Sequence, residues 1–270
     1  MGKIILLNTP IGNLGDLTPR VLEALRAGET FAVEDTRVFK ELLNHLGISI
    51  QGKKIFSLHD QSEKSQIEKL IELAKKEDLY VASEAGSPII SDPAYPLVLG
   101  AYQAGLKVES YSGVSSPIMA LELSGLPPIP FHFHGFLPRE AGKIKKSFEE
   151  TGEGTHIFFE APTRIEDTLK ILSEFEDLSI VVVRELSKKF EEVYRFSSED
   201  LKNKKIEINP RGEFILLFHK KENSKVIGGE LRNLAQEVLN HSSPKSVAKL
   251  LAQILDRPTK EIYDQMNRQK

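Results

Sequence analysis

Short apolar runs alternate with amphipathic segments along most of the chain, and that alternation sets the expected elements. Lys3 to Leu7 carries a continuous apolar run and predicts a buried strand, followed by a Gly/Pro-rich turn. Thr18 to Ala27 predicts a helix, with Thr18 as N-cap and Pro19 at the first helical position. Thr30 to Glu34 reads as a second strand, and Thr36 to Leu46 as a helix closed by Gly47. Between Glu63 and Lys76 the apolar positions Ile67, Leu70, Ile71 and Ala74 fall at helical spacing. Leu79 to Ser83 and Leu106 to Tyr111 predict strands on either side of a helix from about Tyr95 to Ala104. Strand and helix in alternation point to an α/β sheet, largely parallel.

Three prolines in Leu126-Pro127-Pro128-Ile129-Pro130 exclude helix and central strand and suggest a hinge. Beyond it, strands at Thr155 to Phe159, Ser179 to Arg184 and Glu213 to His219, with a helix at Thr163 to Phe175, make a second α/β unit. After the loop signals Asn223-Ser224 and Gly228-Gly229 come three short helical patterns, Leu231 to Leu239, Pro244 to Leu255 and Thr259 to Asn267. The expected division is an N-terminal α/β domain over 1–126, a second over 127–222, and a small helical C-terminal domain over 223–270.

Composition narrows the chemistry. With 40% apolar residues the chain can build a core, and with no cysteine it can form neither a disulfide nor a thiolate site. No apolar run reaches the roughly 18 residues a membrane helix needs. The apolar run at the start ends at Asn8-Thr9-Pro10, too short for the core of a signal peptide, so a cytoplasmic protein is expected. The net charge of −3 gives no support for nucleic-acid binding, which would have to come from local patches. The tail from Lys221, with nine basic and six acidic side chains, is one locally basic region.

Three loops that follow predicted strands carry the candidate binding chemistry. They are Thr9 to Asp16, with Pro10 and Gly12; Ser83 to Pro93, with Ser83, Glu84, Ala85, Gly86, Ser87 and Asp92; and Ser112 to Pro117, with Gly113, Ser115 and Ser116. Small residues let backbone approach a ligand, and loops at one sheet edge form a single pocket. Alone, the first and third loops read at least as readily as an ordinary turn and a helix cap, whereas the second reads less readily as a rigid surface turn. Glu34-Asp35-Thr36-Arg37 ends the second strand: its carboxylates and arginine either orient a hydroxyl and a phosphate or simply cap a helix. The seven histidines show no metal spacing; His132 and His134 alternate with Phe131 and Phe133 as on one face of a strand. Basic residues cluster at Arg139, Lys143, Lys145 and Lys146, opposed by Glu140, and this cluster is suited to phosphates. A second group, Arg184, Lys188, Lys189 and Arg195, is diluted by Glu185, Glu191 and Glu192 and reads as a solvated face.

Taken in order, TPIGNLGDLTPR from Thr9, EDTR from Glu34, SLHDQSE from Ser57 and SEAGSPIISDP from Ser83 resemble the ribosomal RNA small-subunit methyltransferase I family of the tetrapyrrole methylase superfamily. SGLP from Ser124, GFLPRE from Gly135, EAPTR from Glu160, RELSKKFEE from Arg184 and RGEF from Arg211 continue the resemblance along the whole chain. The family pattern is altered at Glu84, Ser87, Ile89 and Ala94, in the stretch Ser112-Gly113-Val114-Ser115-Ser116, and at Phe159, Ala161 and Thr163. The resemblance implies the class III methyltransferase architecture of two α/β domains, with S-adenosyl-L-methionine held between them, and a homodimer. It also implies 2′-O-methylation of a cytidine ribose in small-subunit ribosomal RNA, free or in the small ribosomal subunit, with no metal and no membrane. Under it the loop residues above, with Phe159 and Glu160, are the expected cofactor contacts. Asp35, Glu34 and Arg37 are the expected catalytic residues, with Arg139, Lys143, Lys145, Lys146 and Arg164 against RNA, and Phe136 and Phe159 available to stack a base.

Overall fold

The computed structural model describes residues 2–59, 64–203, 207–221, 243–255 and 257–267. The chain divides into two compact units, Met1–Lys221 and Glu222–Lys270.

In the first unit, β1 (Ile4–Leu7), β2 (Thr30–Val33), β3 (Lys54–Ser57), β4 (Leu79–Ala82) and β5 (Val108–Tyr111) form one sheet in the order β3-β2-β4-β1-β5. Every pairing in it is parallel, as the buried apolar runs predict. Helices cover both faces. Ile5, Leu7, Phe31 and Val33 cluster with Val21 and Leu25 of α1 (Pro19–Ala27) and Phe39 and Leu43 of α2 (Thr36–His45). Ile4, Leu6, Ala32 and Val81 cluster with Leu70 and Ala74 of α3 (Lys64–Ala74) and Leu97 and Ala101 of α4 (Tyr95–Gln103). Thr18 Oγ1 accepts from Val21 N, the cap expected from the sequence, and Gly47 takes a φ of 66° just beyond α2.

A second sheet, in the order β6-β7-β10-β8-β9, is built from β6 (Phe131–Phe136), β7 (Gly154–Glu160), β8 (Ser179–Arg184), β9 (Glu192–Ser197) and β10 (Phe214–Lys220). Only β6 and β7 run parallel; the other neighbours are antiparallel. On one face, Phe158, Val182 and Leu216 cluster with Ile144, Phe148, Ile165, Leu169 and Leu201 of α6 (Ala141–Glu149), α7 (Ile165–Leu172) and α8 (Ser198–Asn203). On the other, Ile157, Val181, Ile215 and Leu217 cluster with Ala120 and Leu121 of α5 (Ser116–Ser124), and with Ile11. Thus α5, which precedes the proline hinge at 126–130, has its buried residues in the core of the second sheet. The sequence pattern does not reveal β3 and β9, because both are edge strands with partly exposed side chains and no continuous apolar run. The expected Thr163 to Phe175 helix narrows to Ile165–Leu172, since Pro162 and Thr163 lie in the turn before it.

The second unit holds α9 (Pro244–Ile254) and α10 (Thr259–Asn267), around Ala248, Ala252 and Ile262. The pattern at Leu231 to Leu239 lies outside the described residues. Among the described residues no helix is long and apolar enough to cross a membrane.

Candidate functional site

In the first sheet β1 and β4 are neighbours, yet β1 sends its following helix α1 to one face and β4 sends α4 to the other. Adjacent parallel strands with diverging connections open a crevice beyond their carboxyl ends, where α/β sheets bind ligands. The three candidate loops and the Glu34–Arg37 stretch follow β1, β4, β5 and β2, so the fold brings all four to this one edge.

The loops are tied to one another. Thr9 and Gly86 pair through their backbones, N to O at 2.9 and 3.1 Å, and Ser83 Oγ donates to Gly86 O at 2.9 Å. Gly86 has a φ of 81°, a conformation that favours glycine, and a Cβ there would come 3.3 Å from Ile11 Cγ2. Asn8 Nδ2 donates to Tyr111 O at 2.6 Å, and Gly113 lies so close that a Cβ would fall 2.5 Å from that of Asn8. Ser115 is the N-cap residue of α5, but its side chain makes no capping hydrogen bond, so the hydroxyl is not spent on the helix. Ser87 and Ser116 are half-buried beside these loops, whereas Glu84 and Ala85 are exposed.

The Thr9–Gly86 pairing ties the β1 and β4 loops together, and two shallow clefts lie beside them on the β2 side. One shallow cleft is lined by Glu34, Asp35, Val38, Phe39, Ser83 and Glu84. A second shares Glu34 and Ser83 and adds Leu58, Pro88, Asp92 and Pro93. Carboxylates dominate this wall, so it favours a cation. Asp35 is the N-cap of α2: its Oδ1 accepts from Arg37 N at 2.6 Å and from Arg37 Nε at 3.2 Å, and its Oδ2 accepts from Arg37 Nη2 at 2.6 Å. The Arg37 side chain and N–H hold Asp35 well below the usual carboxylate range. Although the Glu84 residue is exposed overall, desolvation of its carboxyl beside the cleft, and then the charges of Glu34 and Asp35, push it the other way, above an ordinary glutamic acid.

The second sheet reaches the same region. The carboxyl ends of β6, β7 and β8 share one edge, and two of them meet the first-sheet loops. A Cβ on Gly135 would come 3.6 Å from Ser91 Oγ, and one on Gly12 would strike Lys188. Ser187 of the β8–β9 turn donates a hydrogen bond to Asp16 Oδ2. Phe159 lies edge-on to Phe133 and Phe136, with centroids 5.0 and 5.2 Å away, and Phe136 is exposed.

Several expected roles are altered by this geometry. Glu160 is buried, accepting from Ala161 N and Thr168 Oγ1 at 2.6 Å each and pairing with Arg164 at 2.6 Å, so it anchors the β7–α7 turn. Arg164 also donates to Pro138 O at 2.6 Å and is committed to that turn rather than open to RNA phosphate. The basic cluster is largely neutralised: Lys143 pairs with Glu140 of its own segment, and Lys145 and Lys146 pair with Glu174 and Glu150 outside it. Arg139 is exposed and has no ion pair among the described residues. Arg184 of the second group is buried and donates to Arg211 O, Phe190 O and Glu192. Asp60 to Glu63 of the SLHDQSE stretch lie outside the described residues. Among the described residues no group of three or more histidine or acidic side chains is arranged to hold a metal ion.

Residues 3–202 match the family described as Tetrapyrrole (Corrin/Porphyrin) Methylases. A protein of Xylella fastidiosa named ribosomal RNA small subunit methyltransferase I is 37% identical over 272 residues, covering 97% of this chain and 98% of that one. The chain belongs to the ribosomal RNA small subunit methyltransferase I family of tetrapyrrole methylases. A namesake from Streptococcus pyogenes serotype M3 is 36% identical over 98% of this methylase and 95% of its own length. In fold, the methylase is similar to a diphthine synthase, with a TM-score of 0.57 and 18% identity over 82% of this chain and 90% of that one. It is similar also to the cobalamin biosynthetic enzyme cobalt precorrin-4 methyltransferase, with a TM-score of 0.55 and 16% identity over 80% and 94%.

The β8–β9 turn lies within the family stretch RELSKKFEE from Arg184, but its mixed charges suit a solvated surface, and only the folded chain brings it against Gly12 and Asp16.

Proposed function

We propose that this protein transfers the methyl group of S-adenosylmethionine to the 2′-hydroxyl of a cytidine ribose in small-subunit ribosomal RNA. The observation that carries this reading is the match along nearly the whole chain to proteins named for that RNA, in a fold whose site loops converge on one carboxylate-lined edge. S-adenosylmethionine supplies an electrophilic methyl on a sulfonium cation, and a wall bearing Glu34 and Glu84 suits that charge. Pro10, Gly12, Ala85, Gly86 and Gly113 on the neighbouring loops complete the cofactor contacts, with Ser115 and Ser116 as polar contacts, Ser83 and Asp92 along the clefts, and Ser87 beside them.

Much of the rate comes from holding two reactants in line. A carboxylate that takes the ribose proton works best when its pKa is raised toward neutrality, which favours Glu84 over the Arg37-bound Asp35. Arg37 then orients Asp35 while presenting its remaining N–H groups to phosphate, with Arg139 as a second phosphate contact. Phe136, exposed and backed by Phe159, offers a face for a splayed base. Tyr95, Leu99 and Tyr102 stand exposed along α4 at positions i, i+4 and i+7, and this stripe supports a homodimer. A ribosomal substrate implies action in the cytoplasm.

The test is methyl transfer from labelled S-adenosylmethionine to small ribosomal subunits from a strain lacking this protein, followed by mass spectrometry of the nucleosides. The expected product is a 2′-O-methylated cytidine. Cofactor binding without incorporation into subunits or free RNA would overturn the RNA assignment.

A further inference from the structure

The β8–β9 turn holds two residues without glycine's freedom in left-handed backbone, Glu185 with a φ of 51° and Ser187 with a φ of 65°. Such backbone persists only where its surroundings over-determine it, and it concentrates at ligand clamps. Glu185 Oε1 accepts from Glu213 N at 2.9 Å and from Lys188 Nζ at 3.1 Å, and Ser187 N donates to Glu191 at 2.7 Å. Three consecutive residues of the turn then face the Thr9–Asp16 loop. Leu186 shares a buried cluster with Ile11, the Ser187 hydroxyl donates to Asp16, and the Lys188 stem covers Gly12 so closely that a Cβ there would lie 2.4 Å from Lys188 Cγ.

We propose that Ser187 is a positioning residue for the cofactor: through its hydrogen bond to Asp16 it holds the loop after β1 in its binding conformation, from the opposite sheet. The left-handed backbone at Ser187 belongs to the turn that presents this hydroxyl to Asp16. This rests on the assignment of S-adenosylmethionine to the loop.

The test is a double-mutant cycle on the full-length protein, read by S-adenosylmethionine titration calorimetry, thermal melting and steady-state methyl transfer. Ser187→Ala and Asp16→Ala should each raise the dissociation constant about five- to tenfold, as loss of one charge-assisted hydrogen bond does. The double variant should be no worse than either single one, because both remove the same contact. Asp16→Asn, which keeps an acceptor, should stay close to wild type. KM for the cofactor should rise while kcat at saturation changes less than about twofold. Where Ser187→Ala does not fold, Ser187→Gly relieves the strained φ while removing the hydroxyl and answers the same question. Additive effects in the double variant, or lower melting temperatures with unchanged affinity, would overturn the proposal. A wild-type protein that binds no S-adenosylmethionine would remove both the proposal and the cofactor assignment beneath it.

Discussion

Arg164 Nη2 lies 2.6 Å from Glu160 Oε1, and the Glu160 carboxylate has no side-chain surface exposed to solvent. Two further donors, Ala161 N and Thr168 Oγ1, complete its coordination. Removing the guanidinium leaves a buried carboxylate without its counter-charge, which typically costs several kcal/mol. Arg164 is about a quarter exposed, so water compensates part of that loss. Arg164→Ala is therefore expected to lower stability by roughly 2–3 kcal/mol in urea unfolding. A loss of RNA affinity with unchanged stability would return Arg164 to the substrate side.

Glu84 and Asp35 share one cleft but are driven in opposite directions, Glu84 upward by burial and its acidic neighbours, Asp35 downward by Arg37. A base must be deprotonated to act, so the rate should fall as pH drops through the raised Glu84 value, at a pH above the 4.5 of an ordinary glutamic acid. Glu84→Gln should lose about 10²–10⁴-fold in single-turnover methyl transfer while still binding S-adenosylmethionine. Asp35→Asn should keep the same acid limb. If the limb disappears in Asp35→Asn and survives in Glu84→Gln, the assignment is reversed.

His156 is buried beside His132 and His134, its Nδ1 3.0 Å from His134 Nε2, and burial lowers its pKa from 6.5 to about 4. Between those values the unfolded chain binds a proton that the folded chain refuses, so stability is lost as pH falls from 6.5 towards 4. The loss should approach roughly 2–3 kcal/mol, read from urea midpoints across that window. In His156→Gln the slope should flatten; an equally steep slope in the variant would assign the effect to other groups.

Lys143, Lys145 and Lys146 are each paired with a glutamate, and their attraction for phosphate is correspondingly reduced. Replacing all three with alanine should raise KM for small subunits by less than about threefold, with a small change in salt dependence. Arg139→Ala alone should cost at least as much. A steep loss in the triple variant, with a shallower salt slope, would restore the patch as an RNA contact.

The inner strands β1 and β2 of the first sheet were legible because they are buried on both faces. Ile4 to Leu7 and Phe31 to Val33 are therefore apolar throughout, and the nearby caps, Thr18 and Gly47, act locally. Family membership was legible for a related reason: the loop motifs are contiguous stretches, and their order along the chain does not depend on folding. Edge strands such as β9 were hidden, because half-exposed positions relax the apolar pattern.

Residues close in the chain set the α/β class, the parallel pairing of the first sheet and the candidate loops at its edge. Which charges remain free was decided by tertiary structure. Lys145 met Glu174, Arg164 met Glu160 and Asp35 was taken by Arg37, while Ser187 crossed from the second sheet to Asp16. The physical reason is that a charge or hydroxyl is committed by whatever lies within about 3 Å of it, and for most of these residues the partner is distant in sequence or depends on a turn only the folded chain sets. Backbone pairing of Thr9 with Gly86 likewise joined two loops beside the cleft of Glu34 and Glu84, a contact made by register between strands 75 residues apart, as in the Ile4↔Leu79 pair.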